Sequence, residues 1–117
     1  MNQELTAEEF DEQALAELRE DLGDSFDGFI EQFMTSARAA LVEIDEAVQR
    51  GDYHGAIAPA HSLRGIAGYV GAVAMGNALG ALQQAAQLDE GRDDVLRHAA
   101  TARDAFIKIQ ARLLETP

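Results

Sequence analysis

Residues 26–52, FDGFIEQFMTSARAALVEIDEAVQRGD, decide the fold. Phe26, Ile30, Phe33, Ala37, Leu41, Ile44 and Val48 recur at steps of three or four, which places them on one face of an α-helix. Arg50 and Gly51 supply the basic last turn and the C-cap glycine that end such a helix, and Asp52 can cap the next one. The same periodicity extends in both directions. Upstream, Thr6 followed by Glu9 is a capping-box pattern, and Phe10, Ala14, Leu18 and Leu22 then make a short stripe ending at Gly23. Downstream, the pattern predicts a third helix from about Tyr53 to about Gly71. A fourth follows from about Val73, with Met75, Leu79, Leu82 and Ala86 on one face. A last begins near Arg92 and carries Val95, Ala99, Ala102, Phe106, Ile109 and Leu113. Leu88-Asp89-Glu90-Gly91 separates the final two. Helices joined by short loops predict an all-α fold, an antiparallel up-down four-helix bundle with an additional short N-terminal helix across one end, as a single domain over residues 1–117.

Composition narrows the function. The formal charge of −12, from 9 basic and 21 acidic residues, argues against binding to nucleic acid or to an anionic membrane, both of which need clustered Lys and Arg. It serves equally to keep a small domain soluble. The absence of Cys removes disulfides, thiolate nucleophiles and Cys-ligated metals. No apolar run approaches the roughly 20 residues of a membrane span, and Met1-Asn2-Gln3-Glu4 lacks the start of a signal peptide, so a cytoplasmic protein is expected.

The third helix is costly for its length, holding Pro59 as well as Gly55, Gly65, Gly68 and Gly71. On a helical wheel Ala56, Pro59, Leu63, Ile66, Ala67 and Val70 form the core face. His61 lies opposite, with Ile57, Arg64, Gly65, Gly68 and Ala72 around it. An exposed histidine of ordinary pKa, roughly 6.5, is substantially neutral at pH 7 and offers a ring lone pair to an electrophilic phosphorus. A guanidinium one turn along can neutralise the phosphoryl oxygens, and glycines leave the surface bare enough for another protein to close over the imidazole. Pro59, two residues before the histidine, is expected to kink or loosen the helix there.

The run HSLRGIAGYVGA, residues 61–72, resembles the motif of the histidine-containing phosphotransfer (HPt) family: a His, a basic residue three places on, a Gly four places on, and a closing Gly-Ala. The resemblance implies that His61 is the phospho-acceptor, through Nε2. Arg64 stands where the family usually has Lys, and Gly65 and Gly68, with Ile57, match the surface on which a response-regulator receiver domain docks. Leu82-Gln83 matches a Leu-Gln/Glu pair about 22 residues after the His, so Gln83 is expected to hydrogen-bond the imidazole and fix its tautomer. By the same resemblance a receiver aspartyl-phosphate donates to His61, and His61 donates to a second receiver. A hybrid histidine kinase acts upstream, and the protein works as a monomer without kinase activity of its own. It carries no cofactor; Mg²⁺ belongs to the partner receiver.

Other readings stand beside this one. Nothing in the chain looks like a nucleotide-binding loop. A helical adaptor that binds receivers without being phosphorylated, or the HPt domain of a chemotaxis-type kinase, would share the motif. A metal-binding bundle would need paired Glu and Glu-x-x-His motifs facing inward, which the sequence lacks. Asp89-Glu90 and Asp93-Asp94 lack the spacing of a calcium loop. Taken singly, His61 could be merely solvated, Arg64 could pair with a carboxylate, and Gly65 and Gly68 could serve close helix packing. His54 and His98 read as surface residues.

Overall fold

The computed structural model describes residues 5–88 and 91–114. Five α-helices follow one another: α1 (Glu12–Leu22), α2 (Phe26–Gln49), α3 (Ile57–Tyr69), α4 (Val73–Gln87) and α5 (Arg92–Leu114), with short 3₁₀ turns before α2 and α3. Helices α2 to α5 form the antiparallel bundle, and α1 rests on α2 and α3. The expected stripes face one shared core, in which Phe33, Ile44, Val48, Val70, Met75, Leu79, Leu82 and Val95 are almost wholly buried. Phe33 and Phe106 meet edge to face across it, their ring centres 6.3 Å apart. No helix among the described residues is long and apolar enough to cross a membrane. Met1-Asn2-Gln3-Glu4 and the Asp89-Glu90 pair lie outside the described residues.

Three local expectations are corrected. Thr6 and Glu9 do form the reciprocal contact of a capping box, with the Thr6 N–H donating to Glu9 Oε1 at 3.1 Å, but it closes a turn instead of starting a helix. The true N-cap is Asp11, whose carboxylate accepts from the N–H groups of Gln13 and Ala14. The α1 residue driven into the core is therefore Leu15, while Ala14, Leu18 and Leu22 are half-buried. Pro59 brings no interior kink, because the 3₁₀ turn His54–Ala56 runs into α3 and leaves Pro59 in the first α-turn, where no intrahelical N–H bond is required. Asp52 caps that 3₁₀ turn, accepting from the Gly55 N–H at 2.9 Å. Ala72, placed by the wheel on the outward face, is buried, since α3 ends at Tyr69 and the chain turns in at Gly71.

Gly71 joins the bundle to its N-terminal segment. Its φ is +81°, a region open to glycine at little cost, and its carbonyl accepts from the Asp11 N–H at 2.9 Å. The Ala74 N–H reaches the Glu9 carbonyl at 3.2 Å, so the segment before α1 is bonded to both sides of the α3–α4 turn. Salt bridges Glu9–Lys108 (3.1 Å) and Glu12–Arg112 (2.6 Å) fasten the same segment to α5. The Thr6 N–H and then Lys108 hold the Glu9 carboxyl below the usual carboxylate range. A Cβ on Gly71 would lie 2.4 Å from the Asp11 carbonyl oxygen, whereas one on Gly51, also at positive φ (+79°), would meet nothing within 4 Å. Gly71→Ala should therefore cost about 2–4 kcal/mol in urea denaturation, and Gly51→Ala only about 1 kcal/mol. Equal losses in the two variants would show that the N-terminal segment adds nothing to the turn.

Candidate functional site

Helix α3 positions the site because its two faces divide cleanly. Ala56, Pro59, Ala60, Leu63, Ala67 and Val70 point into the bundle, Ile66 is half-buried, and His61, Arg64, Gly65 and Gly68 are exposed. Close approach of α3 to α4 is permitted by small residues: a Cβ on Gly76 would sit 3.9 Å from the Ala67 Cβ, ordinary van der Waals contact.

His61 stands on the outer face with its Nδ1 3.3 Å from Gln83 Nε2 on α4. A sequence separation of 22 residues is thus closed into one side-chain contact. Gln83 itself is half-buried, and its Oε1 is buried without a hydrogen-bond partner among the described residues. Among the described residues Nε2, unlike Nδ1, has no hydrogen bond to a side chain.

Gly65 and Gly68 have open space where a side chain would stand: a Cβ on either would meet no atom within 4 Å. They are not packing glycines. Ile57, half-buried at the start of α3, borders the strip. On the α2 side lies a shallow depression lined by Glu43 and by small residues, Ser36, Ala39, Ala40, Ala58, Pro59 and Ser62. On the α4 side is a groove of different chemistry, lined by Arg64, Asn77, Gly80, Gln83, Gln84 and Gln87.

Arg64 lies on the outer face, as expected, with its side chain turned toward α4. Its guanidinium swings onto α4 and lies over Gly80, so close that a Cβ there would be 3.1 Å from Cζ and 3.3 Å from Nε. Among the described residues it forms no salt bridge, so carboxylate pairing is not what occupies it. His54 is exposed, as expected, whereas His98 is half-buried. Among the described residues no group of three or more His, Asp or Glu side chains gathers as a metal site would require.

Two residues of this surface were not singled out from sequence. Tyr69 is 67% exposed at the end of α3, a large aromatic left in water at roughly 80° around the helix from His61. Gly80 is the other. The signal available for it was a glycine without positive φ inside a helix, three residues before Gln83.

Comparison with known proteins agrees with this geometry. The family model described as Hpt domain matches residues 28–114, which covers the whole of α3, α4 and α5 and nearly all of α2. Among solved structures, the crystal structure of histidine-containing phosphotransfer protein B (HptB) from Pseudomonas aeruginosa PAO1 matches with a TM-score of 0.69 and 25% identity, over 92% of this chain and 98% of that one. No curated protein sequence matches.

Proposed function

From the premise that the chain belongs to the Hpt domain family, and so transfers phosphoryl groups on a histidine within phosphorelays, we propose that His61 is the acceptor and Nε2 its reacting atom. The observation that carries this is the pairing of an occupied Nδ1 with an open glycine surface: Gln83 engages one ring nitrogen while nothing stands over Gly65 and Gly68 to hold a partner away.

The chemistry follows from the tautomer. Attack through Nε2 requires its lone pair, hence a proton on Nδ1, and Gln83 can accept a hydrogen bond from that N–H through Oε1 after a half-turn of its amide. That turn gives the buried Oε1 a donor. As the Nε2–P bond forms, the P–O bond to the donor aspartate breaks and its carboxylate departs with the electron pair. The imidazole becomes cationic with the proton still on Nδ1, and the Gln83 oxygen stabilises that charge. The reverse sequence hands the phosphoryl group to a second aspartate. Arg64 contributes positive charge beside a group that carries close to two negative ones. Most of the acceleration comes from alignment of the two reacting groups, so the protein is a relay intermediate without autonomous kinase activity. Among the described residues Glu43 is the one carboxylate lining either depression, fewer than a Mg²⁺ site gathers, so Mg²⁺ is assigned to the partner.

Receiver domains are the proposed direct partners, docking on the strip from Ile57 to Tyr69, with a hybrid kinase upstream; the protein acts as a cytoplasmic monomer. The test is transfer of labelled phosphate from a panel of phosphorylated receiver domains to the purified protein, followed by acid and alkali treatment. Acid-labile, alkali-stable label is the expected result, as for a phosphoramidate N–P bond. Receiver binding without any label would establish a non-phosphorylated adaptor instead.

A further inference from the structure

Glycine in the interior of a helix is unfavourable relative to alanine unless its conformation or surroundings demand it. Gly80 lies in the middle of α4 with no positive φ, so backbone geometry does not demand it. Nor does helix packing. The three nearest atoms to a Cβ at position 80 all belong to the Arg64 guanidinium end, at 3.1, 3.3 and 3.5 Å. Packing against α3 is met instead at Gly76, where a Cβ would find ordinary space. The nearest group for which the missing side chain makes room is therefore the Arg64 guanidinium.

We propose that Gly80 is a positioning residue for phosphoryl transfer: its bare backbone lets the Arg64 guanidinium lie flat on α4, in the groove it shares with Gln83, so that the positive charge is held beside the imidazole instead of extending into solvent. This rests on His61 being the acceptor and goes beyond it by assigning the cation its seat. Three features of the groove fit the role. Gln83 lines it and touches His61 Nδ1, so the seated cation and the reacting ring share one neighbour. Its other walls are amides, glycine and Ala81, and among the described residues no carboxylate lines it. The chain's net charge of −12 makes a cation at this spot the more necessary for attracting an anionic donor. A guanidinium restricted to the groove also has fewer rotamers to lose when a phosphoryl group arrives.

The test separates position from fold. The second-order rate of His61 phosphorylation is measured with phosphoramidate, a small anionic donor, and with a phosphorylated receiver. The proteins are wild type, Gly80→Leu, Gly80→Ala, Arg64→Ala and the Arg64→Ala/Gly80→Leu double variant, with labelling at His61 read by peptide mapping. Gly80→Leu should slow both reactions about tenfold, the order expected when one charge-assisted hydrogen bond to a phosphoryl group is lost, and Gly80→Ala by less. Arg64→Ala should show the same loss, and the double variant no more than Arg64→Ala alone. Melting temperatures of both Gly80 variants should equal or exceed that of wild type, because the displaced atoms are the end of a flexible side chain and helix propensity improves. A wild-type rate in Gly80→Leu, or a loss that persists undiminished without Arg64, overturns the proposal. Failure of every receiver to label wild type, while phosphoramidate still discriminates the Gly80 variants, would strike the relay reading and leave the seating of Arg64 standing.

Discussion

His61→Gln is expected to abolish uptake of phosphate from any phosphorylated receiver while leaving the bundle intact. An amide nitrogen has its lone pair delocalised into the carbonyl and cannot attack phosphorus, so the loss is one of chemistry, not of shape. The site tolerates the change because His61 is exposed and its side-chain hydrogen bond, to the Gln83 amide, is one that a glutamine can also make. Surface substitutions of this kind usually stay within about 0.5 kcal/mol, which for a domain of this size is a shift in melting temperature of about 3 °C or less. Receiver binding should survive as well, since the strip that accepts the partner is unaltered. Label retained by His61→Gln would move the acceptor elsewhere, with exposed His54 the first place to look.

Gly68→Leu should produce the second large effect by a different route. Position 68 lies about 10 Å along the helix from His61, beyond direct reach of the chemistry. It is nonetheless exposed with open space above it, so a leucine there would rise into the region a docking partner must occupy. Transfer from a receiver should fall by about 100-fold or more, the consequence of a side chain placed at the centre of a small interface. Labelling by phosphoramidate, which needs no docking, should stay within about threefold of wild type, and the fold should gain up to about 1 kcal/mol from replacing a mid-helix glycine. A parallel fall in both donors would mean that Gly68 supports the imidazole instead of the partner.

Much of this was legible in the sequence because helical periodicity reports burial. The stripes of α2 and α5 appear in the core as their spacing requires, and the outward set His61, Gly65 and Gly68 follows from the same wheel. What periodicity does not carry is the behaviour of chain ends and of long side chains. The Thr6–Glu9 pair satisfied the local hydrogen-bond pattern of a helix start, yet Asp11 had equal local claim and sits where the segment can also bond to Gly71. Ala72 was placed by extending the wheel beyond the point where a positive φ at Gly71 ends it. Arg64 was assigned correctly to the outer face, but which way its side chain swings depends on a missing Cβ on another helix, 16 residues later in the sequence, and no pattern within α3 records that.

The single bare strip beside a single imidazole also fixes the order of events. With both partners docking as proposed, donor and recipient need the same few glycines, so the two cannot be bound together. Throughput in such a scheme obeys double-displacement kinetics: the first partner must leave before the second arrives, and its departure rate caps the flow. An excess of dephosphorylated donor then acts as an obstruction, blocking the only berth. Weak attachment on this surface is therefore a condition of fast signalling and not a defect of the interface, and tighter docking would slow the relay.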